Sequence, residues 1–282
     1  MRFPKHVVYK IVRSIVSLFG ISKARPVVIS FTGGMGAQLI SAAIYLDLKY
    51  QGYDVYADFR YFEEKIHPRL EYSLWGWQLD CFGLTMRNFK RYDIQNLRLI
   101  SAMHVKDGPI KTRLVLEAIE KTHVLNALNS YTKEFKELAA DFIHRTPLLS
   151  GAYACVHLRR GDYLKVASYV VPEDHFLEVL YKIRNLVGNL VIISDSPVSS
   201  KFKEAVNNTF NSTIFYDSNQ IDFALSHYIM KSAKILICSN SQFSWTAGKL
   251  SKGLVLVPNK WFGGRGLESK MSPVREGSFS LI

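Results

Sequence analysis

"AYACVHLRRGDY", Ala152 to Tyr163, carries an unbroken apolar run straight into His157, two adjacent arginines, Gly161 and Asp162. A short continuous apolar stretch closed by a glycine reads as a strand buried on both faces, as in a parallel sheet. The pattern recurs downstream. "NLVIISD" (Asn189 to Asp195), "STIFYD" (Ser212 to Asp217), "KILICS" (Lys234 to Ser239) and "GLVLVP" (Gly253 to Pro258) read as further strands. Helical spacing fills the gaps over Pro172 to Val187, Ser199 to Asn207, Asp222 to Ala233 and Phe243 to Leu250. Strands alternating with helices at these spacings predict a doubly wound α/β sheet.

Upstream lies a second series of the same kind. "VVIS" (Val27 to Ser30) leads through "FTGGMGAQL" into a helical pattern ending near Tyr50, and "YDVYADF" (Tyr53 to Phe59) reads as the next strand. The aromatic-rich region Arg60 to Phe89 is less regular, and Thr112 to Ile143 is largely helical in pattern. With 282 residues, 48% of them hydrophobic, the chain is long and apolar enough for two cores. The expected organisation is a half over 26–148 and a half over 149–282, joined near Thr146 to Gly151, preceded by a segment over 1–25.

That first segment carries six basic side chains (Arg2, Lys5, Lys10, Arg13, Lys23, Arg25) and no acidic one. Val8, Ile11, Val12, Ile15, Leu18 and Phe19 follow at helical spacing, which makes a basic amphipathic helix. It is too short and too charged to span a bilayer, and Arg13 interrupts any signal-peptide core. Two readings stand: the helix lies on an anionic membrane surface, or it packs on its own domain.

The formal net charge of +12 calls for an anionic partner: nucleic acid, a phospholipid surface or a phosphorylated small molecule. No basic-aromatic binding motif is evident and the excess is concentrated at the N-terminus, so nucleic acid is not the expected partner. The alternative from another class is a non-catalytic binder of polyanions or membranes. Three scattered cysteines give neither a disulfide framework nor a metal site and fit a reducing compartment. No two aspartates stand two apart, so the Asp-x-Asp arrangement that holds a divalent cation on a diphosphate is missing, and a metal-independent site is expected.

Four motifs carry chemistry. In "TGGMGAQL", Gly33, Gly34 and Gly36 lie between a strand and a helix with Gln38 in the first turn; the loop is either a tight structural turn or a ligand cradle. In "HLRRGDY", Arg159 and Arg160 alternate across a strand end, so one can face a cleft while the other anchors a loop. Arginine's planar, permanently charged fork suits a diphosphate. An Arg160 to Asp162 pair that merely closes a turn is the alternative. His157 reads as a bond to a base or ribose, or as a structural histidine. "IISDS" sets Asp195 at a strand end as an acceptor for a ribose hydroxyl or guanine edge, or as a helix cap. "CSNSQFSW" enters a helix with Ser241, Gln242, Phe243 and Ser244 at its start, an anion-binding geometry compatible with capping by Ser241.

In this order the residues "GGMGAQ", "HLRRGDY", "ISD", "SNSQFSW" and "NKWF" resemble the alpha-1,2-fucosyltransferases of glycosyltransferase family 11, over roughly Val27 to Phe262. The resemblance implies a GT-B architecture, two Rossmann-like doubly wound halves facing a cleft, with nucleotide sugar held mainly by the C-terminal half. It implies an inverting, metal-independent transferase without cofactor, moving fucose from GDP-fucose to a glycan hydroxyl. Carried over by position, Arg159 would be the catalytic residue that takes the diphosphate charge. Arg160 and Asp162 would shape its loop, His157 and Asp195 would hold nucleoside, and Ser241 to Ser244 would cradle phosphate. Ala37 and Ser226 depart from the Asn and Asp that the family places there, so a same-fold transferase with another nucleotide sugar is the alternative. Candidate bases, by residue type only, are Asp58, Glu63, Glu64 and His67. The setting implied is the assembly of a bacterial surface polysaccharide such as O-antigen, with a possibly lipid-linked glycan acceptor. The protein would be cytoplasmic and peripheral on the inner face of the plasma membrane.

Overall fold

The computed structural model describes residues 26–63, 76–89, 103–106, 108–165, 169–217, 220–258 and 279–281. The basic segment 1–25, Glu64, His67, Trp75 and the "NKWF" motif lie outside the described residues.

Two parallel sheets organise the chain. The first has the order β2-β1-β3, from β1 (Val27–Ser30), β2 (Val55–Asp58) and β3 (Met103–Val105). Helix α1 (Met35–Tyr50) follows β1, and a single turn, α2 (Arg60–Glu63), follows β2. Helices α3 (Pro109–Ala118), α4 (Thr122–Leu128) and α5 (Lys133–Arg145) then resolve the broad helical pattern into three pieces. The breaks fall at Lys121 and at Thr132, whose hydroxyl accepts from the Phe135 N–H and starts α5.

The second sheet has the order β6-β5-β4-β7-β8-β9 with every pair parallel. Its strands are β4 (Tyr153–Leu158), β5 (Asn189–Ser194), β6 (Ser212–Asp217), β7 (Ile235–Ile237), β8 (Leu254–Val257) and β9 (Phe279–Leu281). Helices α6 (Glu173–Ile183), α7 (Ser200–Asn207), α8 (Phe223–Ser232) and α9 (Gln242–Leu250) connect them. Along β4, Ala154, Val156 and Leu158 pack with Phe176 and Phe202 on one face, while Tyr153 and Cys155 pack with Ile229 and Met230 on the other. That alternation is the period-two geometry of a strand, and helices on both faces make the sheet doubly wound. The expected α/β fold is found: two halves, each built on a parallel sheet, across a cleft.

The halves share a core. Leu225, Trp245 and Leu250, from α8 and α9, are buried in the cluster formed by β1, α1 and α3. Trp245 is fully buried, and an aromatic of this size removes about 200 Å² from water, worth roughly 5 kcal/mol before entropy. Lys249 at the end of α9 reaches Glu120 at 2.5 Å, and Lys231 donates to Asn129 at 2.9 Å, both across the same junction.

Candidate active site

In the second sheet the strand order reverses between β4 and β7. At such a switch point the connections leave in opposite directions and open a crevice beyond the carboxyl ends of the strands, where doubly wound sheets take their ligands. "HLRRGD" leaves β4 there and "CSNSQFSW" leaves β7, so the sheet order brings the two strongest motifs side by side. A cavity of about 150 Å³ opens at this point. His157, Arg159, Tyr163, Asp195, Ser241, Gln242 and Phe243 line it from the second half, and Gly34 to Ala37 with Gln78 line it from the first.

Arg159 enters the cavity with its guanidinium already engaged. Nη2 lies 2.6 Å from Asp162 Oδ1 and Nη1 lies 2.7 Å from Asp195 Oδ2, while the Tyr163 ring sits 5.2 Å beneath it. Its backbone N–H donates to the Ser239 hydroxyl of the β7 loop at 3.2 Å, which stitches the two motif loops together. Arg160 turns the other way. It pairs with Glu173 at the start of α6 and does not line the cavity. Glu173 also accepts from the Ser199 backbone N–H at 3.2 Å and from its hydroxyl, tying the arginine loop to the start of α7. The adjacent arginines are thus separated, one to the cavity and one to a carboxylate behind it. The turn-closing pair is Arg159 with Asp162 and not Arg160 with Asp162, because Glu173 holds Arg160.

Asp195 organises the loop from the end of β5. Its Oδ1 accepts the backbone N–H groups of Arg160 at 2.7 Å and Gly161 at 2.9 Å. A Cβ on Gly161 would stand 2.9 Å from Asp195 Oδ2, so the glycine is needed for this approach. The expected nucleoside acceptor therefore spends both oxygens on "RRG".

His157, 4% exposed, lines the cavity edge-on to Phe243 at 5.7 Å. Burial lowers its pKa to about 4, with Asp195 pulling upward and Arg159 downward, so the ring is neutral at neutral pH. Its Nδ1 is buried without a hydrogen-bond partner among the described residues. A neutral imidazole with an unused nitrogen has the capacity for one further hydrogen bond.

Ser241 caps α9, its hydroxyl accepting from the Phe243 N–H at 3.3 Å. Ser241, Gln242 and Phe243 line the cavity, and the helix start presents partial positive charge to it. Ser244 is different. It is fully buried and donates to the Ser239 and Ser241 carbonyls at 3.4 Å, so its hydroxyl serves its own turn and not the cavity.

The glycine loop resolves into three separate constraints. Gly33 takes φ +71°, the left-handed region that suits glycine. Gly34 precedes α1 and faces the cavity. Gly36 faces the opposite half, and a Cβ there would lie 2.5 Å from the backbone of Gln242 and Phe243. The close approach it permits is helix start to helix start. Gln38 is fully buried, with Nε2 donating to the carbonyls of Gly33 and Gly76, each at 2.9 Å, and Oε1 accepting from the Gln78 N–H at 2.9 Å. It braces the loop from within instead of reaching a ligand.

Ala37 and Ser226, two of the positions that depart from the resembled pattern, both line the cavity, as does the half-exposed ring of Phe223. Asp222, one turn before Ser226, caps α8 by accepting from the Ala224 N–H at 2.7 Å. Asp58 and Glu63 are absent from the lining. Burial pushes the Asp58 carboxyl up, but the bidentate Arg60, with bonds of 2.8 and 2.7 Å, leaves it below its ordinary value, the wrong direction for a base. Glu63 is exposed and accepts from Asn88. Sequence reasoning missed Glu173, Gln78, Tyr163 and Phe223. Only Tyr163 stood inside a motif; the others come from loops and helix starts that the fold brings in. Among the described residues, no cluster of three or more His, Cys, Asp or Glu is placed to hold a metal ion.

No curated protein matches the chain. Solved structures that resemble it include POFUT1 in complex with GDP-fucose, at 12% identity and TM-score 0.47, covering 83% of this chain and 96% of that one. Others are a glycosyl transferase family 9 protein from Veillonella parvula and the E. coli heptosyltransferase WaaC with ADP. These stand at 10% and 12% identity and TM-scores of 0.45 and 0.44. They cover 85% and 86% of this chain and 82% and 91% of theirs. A family profile described as glycosyl transferase family 11 matches residues 122–263, half of the chain, and spans β4 to β8 with both cavity motifs. The chain belongs to glycosyl transferase family 11 and is a glycosyltransferase.

Proposed function

We propose that this glycosyltransferase moves fucose from GDP-fucose to a glycan hydroxyl, in alpha-1,2 linkage, with inversion and without a metal. The observation that carries the reading is the position of Arg159. It is a permanently charged fork at the switch point, flanked by the start of α9 and facing the first half across the cavity. The sugar comes from the motif resemblance to fucosyltransferases.

In this reading the diphosphate lies between Arg159 and the N-terminus of α9. As the glycosidic bond breaks, negative charge grows on the leaving diphosphate. A preorganised guanidinium in a partly buried site stabilises that charge by several kcal/mol, where other enzymes use a cation. Asp195, Glu173 and Ser239 hold the arginine loop so that no reorganisation is spent at that moment. His157 offers its neutral ring to the nucleoside. The acceptor enters from the glycine-loop side, past Ala37, Gln78 and Phe223.

A donor screen in EDTA, following nucleotide release, tests the reading. GDP-fucose should be turned over in preference to UDP-, ADP- and CDP-sugars. Release from another nucleotide sugar alone would replace the donor, and a strict need for a divalent ion would overturn the metal-independent chemistry. We further propose that the basic segment 1–25 seats the enzyme on the anionic inner face of the plasma membrane, beside lipid-linked acceptors of surface polysaccharide assembly. No helix among the described residues is long and apolar enough to cross a membrane. Deleting residues 1 to 22 should release the protein from anionic vesicles, and undiminished vesicle binding would refute this.

A further inference from the structure

The guanidinium that is to receive a diphosphate holds two carboxylates, Asp162 at 2.6 Å and Asp195 at 2.7 Å. Adding a diphosphate would gather three anionic groups on one cation, and like charges at such distances disfavour one another strongly. One of them has to give way. The two carboxylates are not equally free to do so.

Asp195 is fixed. Its side chain is 13% exposed, its other oxygen accepts two backbone N–H groups, and Gly161 closes over it. Moving it would dismantle the loop that carries Arg159. Asp162 is 47% exposed on the short 3-10 turn Asp162–Lys165, and the partner its carboxylate has among the described residues is Arg159. A side-chain rotation takes it into water without breaking a backbone bond. Arg160 offers the incoming anion no alternative cation, since Glu173 holds it outside the cavity.

We propose that Asp162 is an exchangeable counter-ion: it holds Arg159 in place until the diphosphate of the sugar nucleotide arrives, yields to it, and recaptures the arginine as the product nucleotide leaves. The inference rests on the proposed donor chemistry and adds a residue that sets how tightly donor and product are held. The carboxylate keeps the fork oriented, at the cost of a competition that every diphosphate must win. The same competition speeds product release.

Calorimetric titration of the full chain with GDP and with inorganic pyrophosphate tests this, comparing wild type, Asp162→Asn and Asp195→Ala at fixed ionic strength. Asp162→Asn keeps the shape and removes the competing charge. It should bind both probes about three- to fivefold more tightly, the scale of one partly exposed ion pair. In turnover it should show a lower donor KM with stronger inhibition by GDP. Asp195→Ala should weaken both probes. Unchanged or weaker binding by Asp162→Asn, with its melting temperature intact, would overturn the counter-ion role while leaving the donor reading in place. If neither wild type nor Asp162→Asn bound either probe, the diphosphate reading itself would fail, and this inference with it.

Discussion

Replacing Gly36 by alanine separates two opposed expectations. Gly36 is the second residue of α1, and in an uncrowded helix Gly→Ala adds up to about 1 kcal/mol of stability. Here the new Cβ would sit 2.5 Å from the Gln242 carbonyl carbon and the Phe243 nitrogen. Ordinary contacts between such atoms lie near 3.5–4.0 Å, so the start of α1 must retreat from the start of α9 by about 1 Å. Neither neighbour is a side chain that can swing away. Overpacking of this kind costs about 3 kcal/mol, leaving a net loss of about 2 kcal/mol after the helix gain. For a protein of 282 residues that lowers the melting temperature by about 3–4 °C. The retreat also shifts the glycine loop against the α9 side of the cavity, and a misplacement of about 1 Å costs on the order of a hundredfold in turnover. Differential scanning fluorimetry with a nucleotide-release assay reads both effects. A Gly36→Ala protein that melts higher than wild type and turns over normally would refute the close approach of the two helix starts.

Gln38→Leu should cost about 3 kcal/mol or more by urea denaturation, because it strands the Gly33 and Gly76 carbonyls and the Gln78 N–H; a loss below about 1 kcal/mol would deny the brace. Stability should also fall in mild acid. His157 and His227 are both buried, with pKa values pushed down to about 4 and about 3, chiefly by burial. In the unfolded chain each takes a proton near 6.5. Because the folded values are depressed, the stability they contribute is complete above that pH and drains away as pH falls toward 4. Each slope grows from about half of 1.4 kcal/mol per pH unit at pH 6.5 toward the full value at pH 5, so the pair removes about 3 kcal/mol over that range. Melting temperatures measured across that range should drop, and His227→Gln should flatten the slope by about half. A pH-independent melting temperature would contradict the burial of both rings.

Where the chain's chemistry is local, its sequence was readable. "VVIS", "YACVHL", "NLVIIS" and "LVLV" are apolar runs that can only be buried on two faces, and each is a parallel strand. The caps at Ser199, Asp222 and Ser241 are short-range bonds written in adjacent residues. The strands β3 and β9 were not readable. Each is three residues long with a polar centre, His104 or Ser280, and takes its place from the strand beside it. The site divides in the same way. Motif order put Arg159 and the α9 start in one place, because strand ends in a doubly wound sheet converge at the switch point. The partners of the polar groups did not follow. Glu173 on Arg160, Gln78 on Gln38 and the α9 backbone on Gly36 are long-range meetings decided by packing. Sequence adjacency offers Arg160 a pair with Asp162 only as the alternative to a loop anchor, and the fold gives it Glu173, 13 residues on, as that anchor.

The most direct test of the whole account is single-turnover nucleotide release by Arg159→Ala against wild type, with GDP-fucose and acceptor in EDTA. Transfer of leaving-group charge to that guanidinium requires a fall of about a hundred- to a thousandfold in the rate of bond breaking, with a melting temperature near that of wild type. Bond breaking at close to the wild-type rate in a folded Arg159→Ala protein would contradict it.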